Sequence, residues 1–235
     1  MNARPAITAD SLGAVDLFRG LPVTERQAIA ARLTAARHPA GRVIVGQDDA
    51  RNDVYFILSG SVRAAFHGAS GRDVQFRDQH AGEMFGELSA IDGRPRSAEV
   101  SALTEVFLAV ASARDFLAIA SGHPQVAQRL FTQLADRVRA LSDRVVEFST
   151  LGVSNRIHGE LLRLAREHGI AGNAALIRPA PTHADIASRV STHREAVTRE
   201  IAALDRAGIL ARGRGQIAVR DVARLEALVA AVTRD

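Results

Sequence analysis

The sequence contains no cysteine. Disulfides, thiolate nucleophiles, zinc–thiolate sites and cysteine-bound iron–sulfur clusters are therefore excluded. It contains no lysine either, so all 30 basic residues are arginine. A guanidinium keeps its charge at any working pH and offers a planar fork of donors to carboxylates and phosphates. No uninterrupted apolar window approaches a membrane span. Residues 1–10 lack the charged-then-apolar layout of a signal peptide and read as a frayed lead-in. Cytoplasmic location, with no membrane partner, is the expectation. What remains is an ordinary globular balance, 47% hydrophobic and 24% charged over 235 residues. That length suffices for one large or two modest domains. The net charge is only +4, but it is unevenly placed. Residues 1–150 hold 17 arginines against 17 acids, while residues 151–235 hold 13 against 9. The whole excess lies at the end of the chain, where a polyanion would be met.

Residues 82–98 organise the rest. Gly82, Gly86 and Gly93 let the backbone turn and approach a ligand closely. Gly86 precedes the acidic Glu87, and Arg96 follows Pro95 and precedes Ser97. A carboxylate can accept from ribose hydroxyls, and a guanidinium can grip a phosphate through paired, charge-assisted bonds. Backbone N–H groups and a serine hydroxyl can complete the anion cradle. A bare Gly-Glu-Leu would suit a surface hairpin turn. The full run, Phe-Gly-Glu-Leu-Ser followed by Arg-Pro-Arg-Ser-Ala, resembles the phosphate-binding cassette of cyclic-nucleotide-binding domains. The resemblance implies that Glu87 meets the ribose 2′-hydroxyl and that Arg96 and Ser97 meet the cyclic phosphate. It implies that Gly86, Leu88, Ser89 and Ala98 line the pocket.

Before the cassette, Leu17, Phe18, Leu21, Ile29 and Leu33 give residues 16–36 a helical period, broken at Pro22 and capped again at Thr24. From Gly41 the period becomes two. Residues 42–45, 54–58, 61–66 and 74–76 read as strands, with 61–66 the hairpin partner of 54–58, turns at 47–49, 59–60 and 68–71, and more strands in residues 98–110. Short strands with frequent turns imply an antiparallel barrel or sandwich. A short helix is expected over 113–120. A long one runs from Pro124 to about residue 150, striped with Val126, Leu130, Leu134, Val138, Leu141, Val145 and Phe148. Steps of four and three form a narrow seam suited to a homodimeric coiled coil, although the stripe can also pack on its own barrel.

Residues 151–155 interrupt the pattern, with Gly152 as a hinge. A helix over 156–168 ends at Gly169, and a loop at 171–173 follows. Thr182 caps a helix with Asp185 in its first turn. After a break at Ser191, Thr192 and Glu195 read as a capping box for a second helix ending at Gly208. Two short helices with a tight break form a helix-turn-helix. Residues 209–219 form a wing with Arg212 and Arg214 at a cationic tip, and a last helix runs from Asp221 to about residue 232. The second helix exposes His193, Arg194, Glu195, Thr198 and Arg199, a face that fits the major groove of DNA. The plainer alternative is a salt-bridged surface helix. The cap, the wing and the local charge excess favour the groove. His38, His67, His80 and His123 are scattered without ligand spacing, so no metal is expected.

Sensor, long helix and winged helix in this order resemble the CRP/FNR superfamily, in its cyclic-AMP receptor protein branch. The resemblance implies an α+β chain with three parts. An N-terminal antiparallel β-roll spans 1–120, a long dimerisation helix 121–150, and a C-terminal winged helix-turn-helix 151–235. It implies cyclic AMP or cyclic GMP as effector, with double-stranded DNA, a second copy of the chain and RNA polymerase as partners. It maps Arg194, Glu195 and Arg199 onto the reading of TGTGA-like half-sites, and Thr182 onto a phosphate contact. The receptors' Thr-Ser pair on the long helix, which meets the purine, is Leu141 and Ser142 here. Arg137, one turn earlier, can reach a base edge or stand as a solvated charge. No paired carboxylates, metal cluster or nucleophile–base set accompanies the cassette, so no enzyme activity is expected. A regulatory module acting on a protein partner, or a regulator sensing another effector, remains the alternative.

Overall fold

Residues 6–67 and 73–230 are described by a computed structural model, whose contacts separate after Arg137 into two units. In the first unit Thr8 and Ser11 cap each other and start α1 (Ala9–Gly13). The lead-in read as frayed through Asp10 is therefore helical from its cap at Thr8, because the reciprocal box satisfies two helix-end donors at once. Residues 1–5 of that stretch lie outside the described residues. A single tight turn, Asp16–Phe18, precedes α2 (Val23–Ala30). Pro22 is the N-cap of α2, so Thr24 lies inside the first turn and caps nothing. The expected helical stretch ends early, because β1 (Thr34–His38) pairs antiparallel with β8 (Val106–Ala111). Thr-Ala-Ala-Arg-His has little strand character of its own, so the partner strand decides.

Two four-stranded antiparallel sheets make the roll. They add β2 (Val43–Val45), β3 (Val54–Ser59), β4 (Ser61–His67), β5 (Asp73–His80), β6 (Met84–Phe85) and β7 (Glu99–Ala102). The orders are β1-β8-β3-β6 and β2-β7-β4-β5. The turn expected at residues 68–71 lies outside the described residues. Alternation along β3 serves two cores. Val54 and Phe56 join Leu12, Phe18, Phe116 and Val126 in a cluster with the helices. Tyr55 and Ile57 join Ile44, Val62, Phe85 and Leu108 in the other. A strand buried on both faces reads as a continuous apolar run, as Val-Tyr-Phe-Ile-Leu does. Between β6 and β7 the expected bend holds a short helix, α3 (Glu87–Asp92), bracketed by left-handed Gly86 and Gly93 at φ 86° and 71°.

After α4 (Ala113–Gly122), capped by Ser112, comes α5 (Pro124–Thr150), the long helix expected. Its apolar stripe divides in two. Val126 and Leu130 are buried in the helical core of the first unit, and Leu134 packs against it. Further on, Val138 and Val145 are 63% and 64% exposed, as are Leu141 and Phe148 to lesser degrees. Phe131, seven residues before Val138, is 64% exposed and extends the open seam.

The second unit has one continuous core. Its first full helix is α6 (Val153–His168). Gly152, read as a hinge, has φ −64°, a conformation any residue adopts. The expected loop at 171–173 is the tip of a hairpin, β9 (Ile170–Ala171) with β10 (Ala174–Ile177), turning at Gly172 with φ 60°. Then come α7 (His183–Arg189), α8 (Arg194–Arg206), β11 (Leu210–Gly213), β12 (Gln216–Val219) and α9 (Val222–Ala230). The strands form one sheet, β11-β12-β10-β9. Ile157, Leu161, Ile186, Val197, Ile201 and Leu225 are fully buried here.

Phe56 lies between Phe18 and Phe116, at ring-centroid distances of 4.8 and 6.4 Å. Phe56→Ala is expected to destabilise the first unit by about 3–5 kcal/mol, the range for deleting a buried aromatic ring. Urea unfolding of the variant checks this, and a loss under about 1 kcal/mol would mean that the site collapses to fill the space.

Candidate functional site

The cassette brings two opposite charges into the interior. Glu87 and Arg96 are only 2% and 3% exposed. Arg96 reaches Gly86 and the loop before β3. Its Nη1 donates to the Gly86 carbonyl at 2.8 Å and its Nη2 to the Asp53 carbonyl at 2.7 Å. The same loop clasps the Arg96 backbone, through Asp48 N to Arg96 O and Arg96 N to Asp49 O, both 3.0 Å. The guanidinium stands over the Tyr55 ring, 5.9 Å from its centroid, and that ring stacks on Phe85. Arg96 Nε is buried with no hydrogen-bond partner. Burial holds the Arg96 pKa below its ordinary value, although an arginine stays charged in practice. The Asp49 carboxylate offsets this only in part. Side-chain and backbone bonds from Arg51 occupy the Asp49 carboxylate and hold its pKa down at about 2.

Gly86 is required where it stands. At φ 86° an added Cβ would lie 2.6 Å from Arg96 Nη1 and 2.7 Å from the Asp53 carbonyl. No flexible neighbour can yield on the backbone side.

Glu87 pairs with Arg137 of α5, whose Nη2 also donates to the Met84 carbonyl at 3.3 Å. Arg137 is thus a partly buried partner of the cassette carboxylate. The two lie fifty residues apart, and no local pattern announces the pairing. Ser89 is buried, Ala98 is half-buried, and Leu88 and Ser97 are exposed. On α5, Leu141 is exposed and the Ser142 hydroxyl donates to the Val138 carbonyl at 3.0 Å. Among the described residues, no group of three His, Cys, Asp or Glu can hold a metal ion.

In the second unit, Thr182 and Asp185 cap α7 reciprocally, as Thr182 Oγ1 accepts from Asp185 N at 3.1 Å. The capping box expected from Thr192 and Glu195 is absent. Here α8 starts at Arg194, its N-cap is His193, and no side chain caps it. Thr192 is spent in the turn, where its N–H donates to the Ala187 carbonyl at 2.9 Å and Ser191 takes φ 50°. The outer face of α8 presents His193, Arg194, Glu195, Thr198 and Arg199, all exposed, opposite the buried Val197, Ile201 and Leu204. Thr198 is already engaged. Its hydroxyl lies 2.8 Å from His183 Nδ1 and donates to the Arg194 carbonyl at 2.9 Å. Burial first, then the charges of Arg194 and Arg212, push the His183 imidazole below its ordinary pKa. The neutral ring so favoured splints α7 to α8. The wing arginines differ. Arg212 Nε donates to Asp205 at 3.1 Å, while Arg214 is exposed at the hairpin tip beside Gly215, φ 69°.

Comparison with known proteins locates both halves. A cyclic nucleotide-binding domain family matches residues 36–123. A Crp-like helix-turn-helix domain family matches residues 155–228. A cyclic AMP receptor protein of Thermus thermophilus is 32% identical over 89% of this chain and 94% of its own. The solved catabolite activator protein of Thermus thermophilus is 30% identical, with TM-score 0.53 over 92% of this chain and 99% of its own. CLP, a c-di-GMP responsive regulator of Xanthomonas campestris, shares the fold at 19% identity, with TM-score 0.73 over 84% of this chain and 99% of its own.

Proposed function

The chain belongs to the CRP/FNR family of transcription regulators, and on that premise we propose a homodimeric regulator that binds palindromic DNA when cyclic AMP or cyclic GMP occupies the cassette. The joint burial of Glu87 and Arg96 carries this reading. A buried guanidinium with an unused Nε donor suits a cyclic phosphate better than a solvated turn does. The Ser97 hydroxyl and the backbone at Gly86, Leu88, Ser89 and Ala98 complete the cradle. A carboxylate has about four acceptor sites, so Glu87 can share its oxygens between Arg137 and a ribose hydroxyl. That sharing would connect the effector to α5.

The proposed division of labour assigns sensing to 1–120, dimerisation to 121–150 and DNA reading to 151–235. The open stretch of α5 from Phe131 to Phe148 supports the dimer, because apolar side chains at heptad spacing need a partner helix. Arg194, Glu195 and Arg199 read base edges in TGTGA-like half-sites, with RNA polymerase as the downstream partner. His193, Thr182, Arg212 and Arg214 serve phosphates. Thr198, tied to His183, orients the reading helix. The named relative is a receptor protein, so the proposal includes no enzymatic step.

Calorimetric titration tests the sensor. Arg96→Leu is expected to fold and to lose about 3–5 kcal/mol of affinity, the cost of breaking one side of a buried charge pair. Leu141 offers the purine no hydrogen bond, so wild-type affinities for cyclic AMP and cyclic GMP are expected within about 1–2 kcal/mol. Unchanged binding by Arg96→Leu removes the phosphate role, and a preference beyond about a hundredfold removes the Leu141 argument.

Light scattering tests the seam. Val138→Asp combined with Val145→Asp places like charges in a dry interface and is expected to give monomers. An intact dimer would assign the contact to another surface.

Base reading is tested with probes varied at each half-site position, at several salt concentrations. Arg194→Ala is expected to cost about 1–3 kcal/mol and relax preference at one symmetric base pair. Arg214→Ala is expected to weaken all sequences equally and lower the salt slope by about one unit. A uniform loss from Arg194→Ala would make that residue a phosphate clamp only.

A further inference from the structure

The turn between α7 and α8 is held from behind by two arginines. Arg144 of α5 donates to the Arg189 carbonyl. Arg156 of α6 donates from Nε to the Val190 carbonyl at 3.1 Å and from Nη2 to the Ser191 carbonyl at 3.4 Å. Carbonyls at the end of a helix lack helical partners and carry partial negative charge, so guanidinium forks suit them. Arg156 Nη1 also donates to the Leu151 carbonyl at 3.0 Å. One side chain therefore spans the α5–α6 link and the α7–α8 turn.

Beneath this turn lies Glu160, with 0% exposure. Its Oε1 is 3.2 Å from Arg189 Nη1 of α7. Its Oε2 is 2.6 Å from Arg163 Nη2 of α6 and 3.7 Å from Arg144 Nη2 of α5. No directed hydrogen bond reaches Oε2, so charge alone holds that oxygen. One carboxylate thus serves guanidiniums from three helices. Burial, then repulsion from Arg163, lowers the Arg144 pKa, while Glu160 raises it. Without the carboxylate, the partly buried Arg144 and Arg189 and the more exposed Arg163 would face one another without that anion between them.

The reading helix is fastened to the same hub. Ser154 and His158 of α6 meet the two carboxylate oxygens of Glu200 on α8, at 2.9 and 2.7 Å. Turn and reading helix are therefore tied to α6, and Arg144 ties α6 and α7 to α5.

We infer that Arg144 and Glu160 are positioning residues for DNA recognition, forming the joint through which a movement of α5 reaches the helix-turn-helix. The assignment rests on the reading of the chain as an effector-switched DNA-binding protein. No role in contacting effector or DNA is assigned to either residue. Arg144→Met keeps the stem and removes the charge and both contacts. Arg144→Lys keeps the charge but lacks a fork that serves the carboxylate and the Arg189 carbonyl together.

The experiment uses the full-length chain. Cyclic AMP affinity is measured by calorimetry, and affinity for a palindromic TGTGA-type duplex is measured with and without saturating cyclic AMP. For Arg144→Met, effector affinity is expected to stay within about twofold of wild type, while the ratio of the two DNA affinities falls by about tenfold or more, within the usual range of allosteric coupling. Arg144→Lys is expected to recover part of the ratio. Glu160→Gln is expected to lose it too, and if that variant does not fold, Arg144→Met carries the test. An unchanged ratio in Arg144→Met overturns the joint, including the case where both DNA affinities fall equally, as a merely structural role would give. A wild-type protein whose DNA affinity ignores cyclic nucleotide overturns the proposed function itself, and the joint with it.

Discussion

A guanidinium can leave water only if acceptors meet its planar fork, and both units of this chain are arranged around that requirement. In the first unit, carbonyls of Gly86 and Asp53 face Arg96 from two different segments. To supply the first carbonyl, the backbone turns left-handed at Gly86. In the second, carbonyls of the α7–α8 turn and the Glu160 carboxylate meet Arg144, Arg156 and Arg189. Such groups contribute little net stability compared with apolar packing of equal volume. What they fix is position. An arginine missing one acceptor is costly, so the segments that supply acceptors are held in register with each other.

How much of this was legible depended on whether the signal was local. The bounds of β3, β4 and α5 follow from period and from Pro124 and appear where expected. The expected hairpin of β3 with β4 does not form, because the chain passes from one sheet to the other at Gly60, φ 84°, and β3 pairs with β8 and β6 while β4 pairs with β7 and β5. Glu87 and Arg96 were legible because the cassette packs glycine, acid and Arg-Pro-Arg into one short run. β1 was not, because Ala-Ala-Arg favours helix and only pairing with β8 makes it a strand. The Thr192 cap was misread for a related reason. Threonine three residues before a glutamate is a cap only if the helix starts there, and the Ser191 turn uses Thr192 instead. Partnerships across the chain, Arg137 with Glu87 and Arg144 with Glu160, leave no trace in any short window. The engaged hydroxyl of Thr198 is another case, since its partner His183 lies on a different helix.

Of the two readings of the α5 stripe, packing on its own unit holds at one end of the helix only. An apolar period shows that a face must be covered but not by what. Near Pro124 the cover is the helix's own core; beyond Val138 the stripe faces solvent.

That division bears on how the helix comes to exist. An isolated helix shorter than about 12–15 residues is marginal in water, because the first turn fixes several residues for one hydrogen bond. Residues 138–150, with their apolar side chains in solvent, would be such a helix on their own. Joined to a turn already formed against Val126 and Leu130, they need only propagate, at one hydrogen bond gained per residue fixed. The buried half of α5 thus acts as a permanent nucleus, and the exposed half is helical before any second surface arrives to cover it.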